Sequence, residues 1–187
     1  MTVTIKPGHV AVLVPSARRA ADHLRQFGFQ IGKEEAWEDV GTREIYVERD
    51  KANSLLIMEP AKPGVYQRAM EKRGPGIHHL AIDVPDLEDY IQSIESSGWL
   101  LHPSSIRTMK STRAVYLARP GFPALIEVQE QSGEDNSPVF VETVMLQMDD
   151  SLARLIEYAG LADIVRPSQK ETELSLAGRI VRLQDLL

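Results

Sequence analysis

Hydrophobic and polar positions change their period several times along this chain, and the order of those changes repeats. Residues 9–14 are apolar and β-branched and predict a strand, closed by Pro15-Ser16. Over 17–27 the spacing becomes that of an amphipathic helix. Ala20, Leu24 and Phe27 share a face, and Arg18, Arg19, Asp22 and Arg25 lie elsewhere. Ser16 is placed to cap this helix and Gly28 to end it. Strands follow over 29–37, 42–48 and 54–59; in the second of these, Glu44 and Tyr46 fall on one face and Ile45 and Val47 on the other. The unit reads β-α-β-β-β.

The same order returns after a connector, 61–76, that holds a short helix over 65–72 and the breaker Gly74-Pro75-Gly76. Strands over 79–84, 99–103, 113–117 and 124–129 and a helix over 87–96, capped by Asp86, form the second unit. Gly8-His9-Val10-Ala11-Val12-Leu13-Val14-Pro15 matches His78-His79-Leu80-Ala81-Ile82-Asp83-Val84-Pro85 at an offset of 70, which is 79 minus 9. The offset persists through Leu24/Ile94, Gly28-Phe29/Gly98-Trp99 and the pair Thr42-Arg43-Glu44-Ile45-Tyr46-Val47/Thr112-Arg113-Ala114-Val115-Tyr116-Leu117. One register held over four stretches indicates a duplicated supersecondary unit. The expected organisation is a first module over 1–60, the connector 61–76, a second module over 77–131, and an extension over 138–187, with a boundary in the polar stretch 132–138. The extension predicts strands over 139–148, 162–165, 173–176 and 179–183 and a helix over 150–159. This is a partial, degenerate third module; the alternative is a loosely related cap of strand and helix. It contains no histidine, so it reads as a structural or dimer-forming element, and a homodimer is expected.

Composition narrows the chemistry. The net charge of -6, without a lysine/arginine run, argues against a nucleic-acid partner. Without cysteine there is no disulfide framework and no thiolate ligand, so any metal must be held by nitrogen and oxygen. No span approaches membrane length and the first residues lack a signal-peptide core, which makes a cytoplasmic protein the default.

A lone histidine opening a strand is ordinarily structural. Here His9 and His79 open equivalent strands, and a pseudo-dyad brings them to equivalent places. Glu127, flanked by aliphatics in Leu125-Ile126-Glu127-Val128, either faces solvent or binds a cation, because a lone buried carboxylate is costly. Taken with the two histidines, the ligand reading is favoured: His9, His79 and Glu127 around a divalent metal (Zn, Co, Ni, Mn or Fe). The first module offers only Leu56 or Ile57 at the equivalent of Glu127, with Glu59 nearby as the substitute to consider. Glu44 stands where the second module has Ala114; beside a metal it is a candidate general base, and otherwise a solvent-facing strand residue. Alternation puts His78 on the face opposite His79, in a supporting or packing role. Arg43 and Arg113 read as sheet-edge charges, and His102 as exposed.

With paired β-α-β-β-β units, a histidine opening each and Glu127 in the last strand, the chain resembles the vicinal oxygen chelate superfamily of glyoxalases, bleomycin resistance proteins, extradiol dioxygenases and methylmalonyl-CoA epimerases. Glu71-Lys72-Arg73-Gly74-Pro75-Gly76-Ile77-His78-His79-Leu80-Ala81 is similar to the epimerase connector, and Arg43-Glu44-Ile45-Tyr46 sits where epimerases carry a glutamate base. The resemblance implies an α+β fold in which the modules form a cupped mixed sheet with flanking helices around a divalent ion. It implies an isomerase or lyase acting on a small carbonyl compound or an acyl-CoA thioester. The aliphatic residue at the fourth ligand position departs from epimerases and matches the three-ligand site of extradiol-type members. A non-haem iron dioxygenase and a metal-free small-molecule-binding protein are therefore the alternatives.

Overall fold

The structure, a computed structural model, describes residues 5–131 and 137–187; most of the 132–138 boundary lies outside the described residues. The first module is β1 (Lys6–Leu13), α1 (Ala17–Arg25), β2 (Ile31–Trp37), β3 (Thr42–Val47) and β4 (Ser54–Pro60). Helix α2 (Val65–Arg73) connects it to β5 (Gly76–Val84), α3 (Leu87–Ser93), β6 (Leu100–Leu101), α4 (Pro103–Thr112), β7 (Ala114–Ala118) and β8 (Leu125–Glu130). The fold is α+β, with one eight-stranded mixed sheet in the order β2-β3-β4-β1-β5-β8-β7-β6. In each half the first and last strands run parallel, β1 with β4 and β5 with β8, and the halves join through antiparallel β1 and β5. The order is therefore symmetric about the β1/β5 join. No helix among the described residues is long and apolar enough to cross a membrane.

Parallel first and last strands require crossovers, and α1 and α3 supply part of them. Both pack on one face of the sheet, where Val10, Val12, Ile45, Val47, Leu55 and Ile57 meet Ala20, Leu24, Leu87 and Tyr90. The opposite face carries a smaller cluster of Ala11, Leu13, Leu56 and Met58, against which Tyr46 and Tyr66 pack. The two helix starts are built alike. Ser16 accepts from the Arg19 amide and Asp86 from the Asp89 amide, as their positions in the sequence lead one to expect. A strand carboxylate adds to each cap: Glu59 accepts from the Ala17 amide at 2.9 Å and Glu130 from the Leu87 amide at 3.0 Å. Arg43 and Arg113 donate to those carboxylates, so they are not the loose sheet-edge charges the sequence suggested; each holds a helix-capping carboxylate in place.

Helix α4 is absent from the sequence expectation. Its residues are rich in serine and threonine and lack an apolar stripe, and what starts it is Pro103 in the first turn and His102 as the cap. His102 Nδ1 lies 2.7 Å from Ser104 Oγ, a specific contact rather than the free exposure expected for it. The second module therefore carries one helix more than the first.

The C-terminal segment follows the order β9 (Val141–Gln147), α5 (Ala153–Tyr158), β10 (Val165–Ser168), β11 (Glu173–Leu176) and β12 (Arg179–Arg182). The element order is that of the modules, and the degeneracy lies in the pairing. Its four-stranded sheet runs β10-β9-β11-β12, with the first strand central and parallel to the second. Its core is continuous with that of the helical face. Phe140, fully buried, packs edge-on against Phe29 at 5.0 Å; the Trp99 indole N–H donates to the Leu155 carbonyl at 2.9 Å, and the Tyr90 hydroxyl to that of Ala159 at 3.2 Å. The extension backs the helices, on the side away from the Ala11/Leu13/Leu56/Met58 face.

A core shared by the modules and the extension predicts that the described elements unfold together. Phe140→Ala should lower stability by about 3–5 kcal/mol and shift a single urea transition; a separate transition for residues 138–187 would contradict the shared core.

Candidate metal centre

The β1/β5 join is not regular. Pro7 pairs with Ile82 and Val10 with Leu80, so β1 holds one extra residue at Gly8-His9. Ala11 pairs with His79 and Val12 with Ile77, so β5 holds one extra residue, His78. Bulges of this kind re-aim side chains. At Gly8 the strands approach so closely that a Cβ would stand 3.2 Å from Asp83 Oδ1.

The bulges bring His9 and His79 together. Their Nε2 atoms lie 2.9 Å apart, and Glu127 Oε2, from β8, lies 3.5 Å from the first and 3.2 Å from the second. The other oxygen of Glu127 accepts a hydrogen bond from the Tyr116 hydroxyl at 2.7 Å; Tyr116 pairs with Glu127 across β7 and β8. This oxygen is thus occupied, and Oε2 is left facing the imidazoles. Two donors bonded to one ion at about 2.1 Å lie about 3.0 Å apart at a right angle and about 3.4 Å apart at the tetrahedral angle. The spacings here, 2.9, 3.2 and 3.5 Å, lie within about 0.1 Å of that range. The donor set, two imidazoles and a carboxylate, suits a borderline divalent metal. The residues present fit such an ion.

Bulge geometry also corrects the expectation for His78. A β-bulge breaks the alternation of side chains, and His78 Nδ1 lies 2.9 Å from His79 Nδ1 instead of on the opposite face. Its ring packs against Tyr66 of α2, 5.0 Å between centroids.

Electrostatics follow from burial. His9 is held far below the ordinary imidazole range, at about 4, by desolvation first and by His79 second, with Glu127 opposing. His78 is lowered to about 3, again by burial first and then by His79 and Arg73. Burial pushes Glu127 up, but the hydrogen bond and charge of His79, the charge of His9 and the Tyr116 hydroxyl prevail and hold it at about 2. With two Nε2 atoms at 2.9 Å, one must carry a proton in the absence of an ion, since facing lone pairs repel.

A cavity of about 390 Å³ opens onto the triad and is lined by His9, Glu44, Tyr46, Leu56, Tyr66 and Glu127 among others, all contributed by the two modules and the connector. Glu44 shares this cavity. Burial raises its carboxyl above the usual range, and the Thr42 hydroxyl, donating to Oε1 at 2.7 Å, moderates the rise. Leu56 pairs with Tyr46 as Glu127 pairs with Tyr116, so Leu56, not Ile57, stands at the fourth-ligand position. The offset there is 71 (127 minus 56), because the hairpin of the second module is one residue longer. Glu59 does not substitute, being held by Ala17 and Arg43 on the helical side.

Residues 8–116, more than half of the chain, match the family model described as Glyoxalase/Bleomycin resistance protein/Dioxygenase superfamily. The chain belongs to this superfamily. Members of the superfamily typically bind divalent metals. Solved structures agree in fold. A hypothetical protein from Bacillus halodurans C-125 superposes with a TM-score of 0.55 at 20% identity, covering 72% of this chain and 99% of its own. A Streptomyces coelicolor methylmalonyl-CoA epimerase in complex with 2-nitronate-propionyl-CoA gives 0.53 at 18%, covering 71% and 100%. The methylmalonyl-CoA epimerase from Mycobacterium tuberculosis gives 0.52 at 24%, covering 68% and 89%. No curated protein matches this superfamily member by sequence.

Two features of the site escape sequence reasoning. Tyr116 as the partner of Glu127 follows from pairing register, which alternation alone does not fix. The contact between His78 and His79 follows from the bulge; its sequence signal is the histidine doublet where the first module has Gly8-His9.

The desolvated histidines, His9 and His78, set the acid limit of stability. Their folded values, about 4 and about 3, lie below the ordinary 6.5, so the unfolded chain binds more protons as pH falls through that window and stability drops with it. Glu127, lowered to about 2, adds a loss of the same sign below its ordinary 4.5. Urea unfolding of metal-free protein should show stability falling steadily from pH 7 to pH 4; a flat profile would contradict buried neutral imidazoles.

Proposed function

We propose that this protein is a metal-dependent enzyme of the isomerase/lyase type that removes and returns a proton α to a carbonyl, in the manner of an epimerase. The observation that carries this reading is the position of Glu44, in the same cavity as His9, His79 and Glu127 and with a carboxyl raised by burial. His9, His79 and Glu127 would hold the divalent cation, which when bound polarises the substrate carbonyl as a Lewis acid. Glu44 supplies the base. The raised value brings its affinity for a proton closer to that of a carbon acid, and one oxygen is kept in place by Thr42. The proton moves from the α-carbon to Glu44, the bonding pair moves toward the carbonyl oxygen, and return of the proton completes the turnover. The substrate is a small carbonyl compound or an acyl-CoA thioester. Supporting the latter, a methylmalonyl-CoA epimerase of the same fold is described in complex with methylmalonyl-CoA.

Leu56 favours a second reading. With an aliphatic side chain at the fourth position, three protein donors remain, the count of a two-histidine, one-carboxylate iron site, and the protein would then be an extradiol-type dioxygenase.

Methylmalonyl-CoA in deuterated solvent, with stoichiometric cobalt, tests the first reading. The parent should incorporate deuterium at the α-carbon. Glu44→Gln should retain the metal and lose exchange by about 100-fold or more, whereas His79→Ala should lose the metal. Exchange unchanged in Glu44→Gln would remove it as the base, and oxygen consumption by the iron-loaded protein with a catechol would favour the second reading.

A further inference from the structure

The two histidines of the centre are not supported equally. His9 follows Gly8, and among the described residues no group hydrogen-bonds its Nδ1. His79 follows His78, whose Nδ1 lies 2.9 Å from His79 Nδ1, with both residues buried. Gly8 and His78 are equivalent in the repeat (78 minus 8 is again 70), so the doublet is a difference between the modules at the bulge itself.

We infer that His78 is a positioning residue that fixes the tautomer and ring orientation of His79. This role rests on the reading of His9, His79 and Glu127 as a metal centre, whereas the contact itself does not. Two imidazole nitrogens at 2.9 Å need one proton between them. For His79 Nε2 to offer a lone pair to an ion, its Nδ1 must carry the proton. His78 Nδ1 is then the acceptor, and His78 carries its own proton on Nε2. The Tyr66 ring packed against His78 keeps the acceptor aimed. A ligating histidine ordinarily donates its second N–H to a carboxylate or a backbone carbonyl; here a neutral imidazole takes that place. A neutral acceptor adds no charge, so the anionic character of the site stays with Glu127. The stretch Ile77-His78-His79 therefore delivers a ligand and its support from consecutive residues, which only a bulged strand permits.

Nitrogen-15 NMR of the metal-free parent tests the contact directly. A scalar coupling between the two Nδ1 atoms should appear through the hydrogen bond, and on loading with zinc His79 should be the Nδ1–H form and His78 the Nε2–H form. Cobalt titration followed by its visible bands tests the consequence. His78→Phe, which keeps a ring against Tyr66 but removes the acceptor, should weaken binding about 10–100-fold, while His78→Asn, whose Oδ1 replaces the acceptor, should stay within about threefold of the parent. If His78→Phe does not fold, the asparagine variant and the parent spectra still decide. Absence of the coupling, or equal affinity of the parent and His78→Phe, would overturn the inference. A parent that binds no cobalt yet shows the coupling would refute the metal centre while leaving the histidine contact standing.

Discussion

The centre depends on how β1 and β5 meet. A regular antiparallel pair would alternate its side chains strictly, and a one-residue slip would exchange the faces. The observed pair carries one extra residue on each strand, at Gly8-His9 and at His78. Each module thus turns one imidazole toward the pseudo-dyad, and the Nε2 atoms come within 2.9 Å. Glu127 is then buried without isolation, because the imidazoles and the Tyr116 phenol offset its desolvation. Without the bulges that carboxylate would keep Tyr116, its β7 partner, and lose the facing imidazoles.

Around this join the frame is symmetric and the chemistry is not. Arg43 with Glu59 and Arg113 with Glu130 hold the starts of α1 and α3 in the same way. Tyr46 and Tyr116 both face the cavity. The differences fall on the concave side, where Glu44 faces Ala114 across the repeat, Leu56 faces Glu127 and Gly8 faces His78. A duplicated scaffold has kept its packing and capping in both halves and divided the reactive groups between them. One half supplies the candidate base, the other the candidate carboxylate ligand and the histidine doublet.

Much of this was legible in the sequence because the duplication reports on itself. A constant offset placed His9 and His79 at equivalent strand positions, and the aliphatic neighbours of Glu127 marked a carboxylate that either faces solvent or needs partners; it has them in His9, His79 and Tyr116. Other features were not legible. Alternation put His78 on the wrong face because a bulge leaves no trace in hydrophobic periodicity. The identity of the fourth position, Leu56, was hidden by a one-residue difference in hairpin length, which only the pairing of Tyr46 with Leu56 resolves. Helix α4 lacked an apolar stripe, and Arg43 and Arg113 looked like edge charges because the carboxylates they hold are brought to them by tertiary structure. In the extension the order of elements was readable, but the pairing that sets it apart from the modules was not.

The proposed function stands on a single ion held between the two modules by His9, His79 and Glu127. Crystals grown with cobalt and measured on both sides of its absorption edge test this most directly. One anomalous peak per chain is expected, within bonding distance of His9 Nε2, His79 Nε2 and a Glu127 oxygen, with Leu56 making no bond. A peak elsewhere, or none at saturating cobalt, would contradict it.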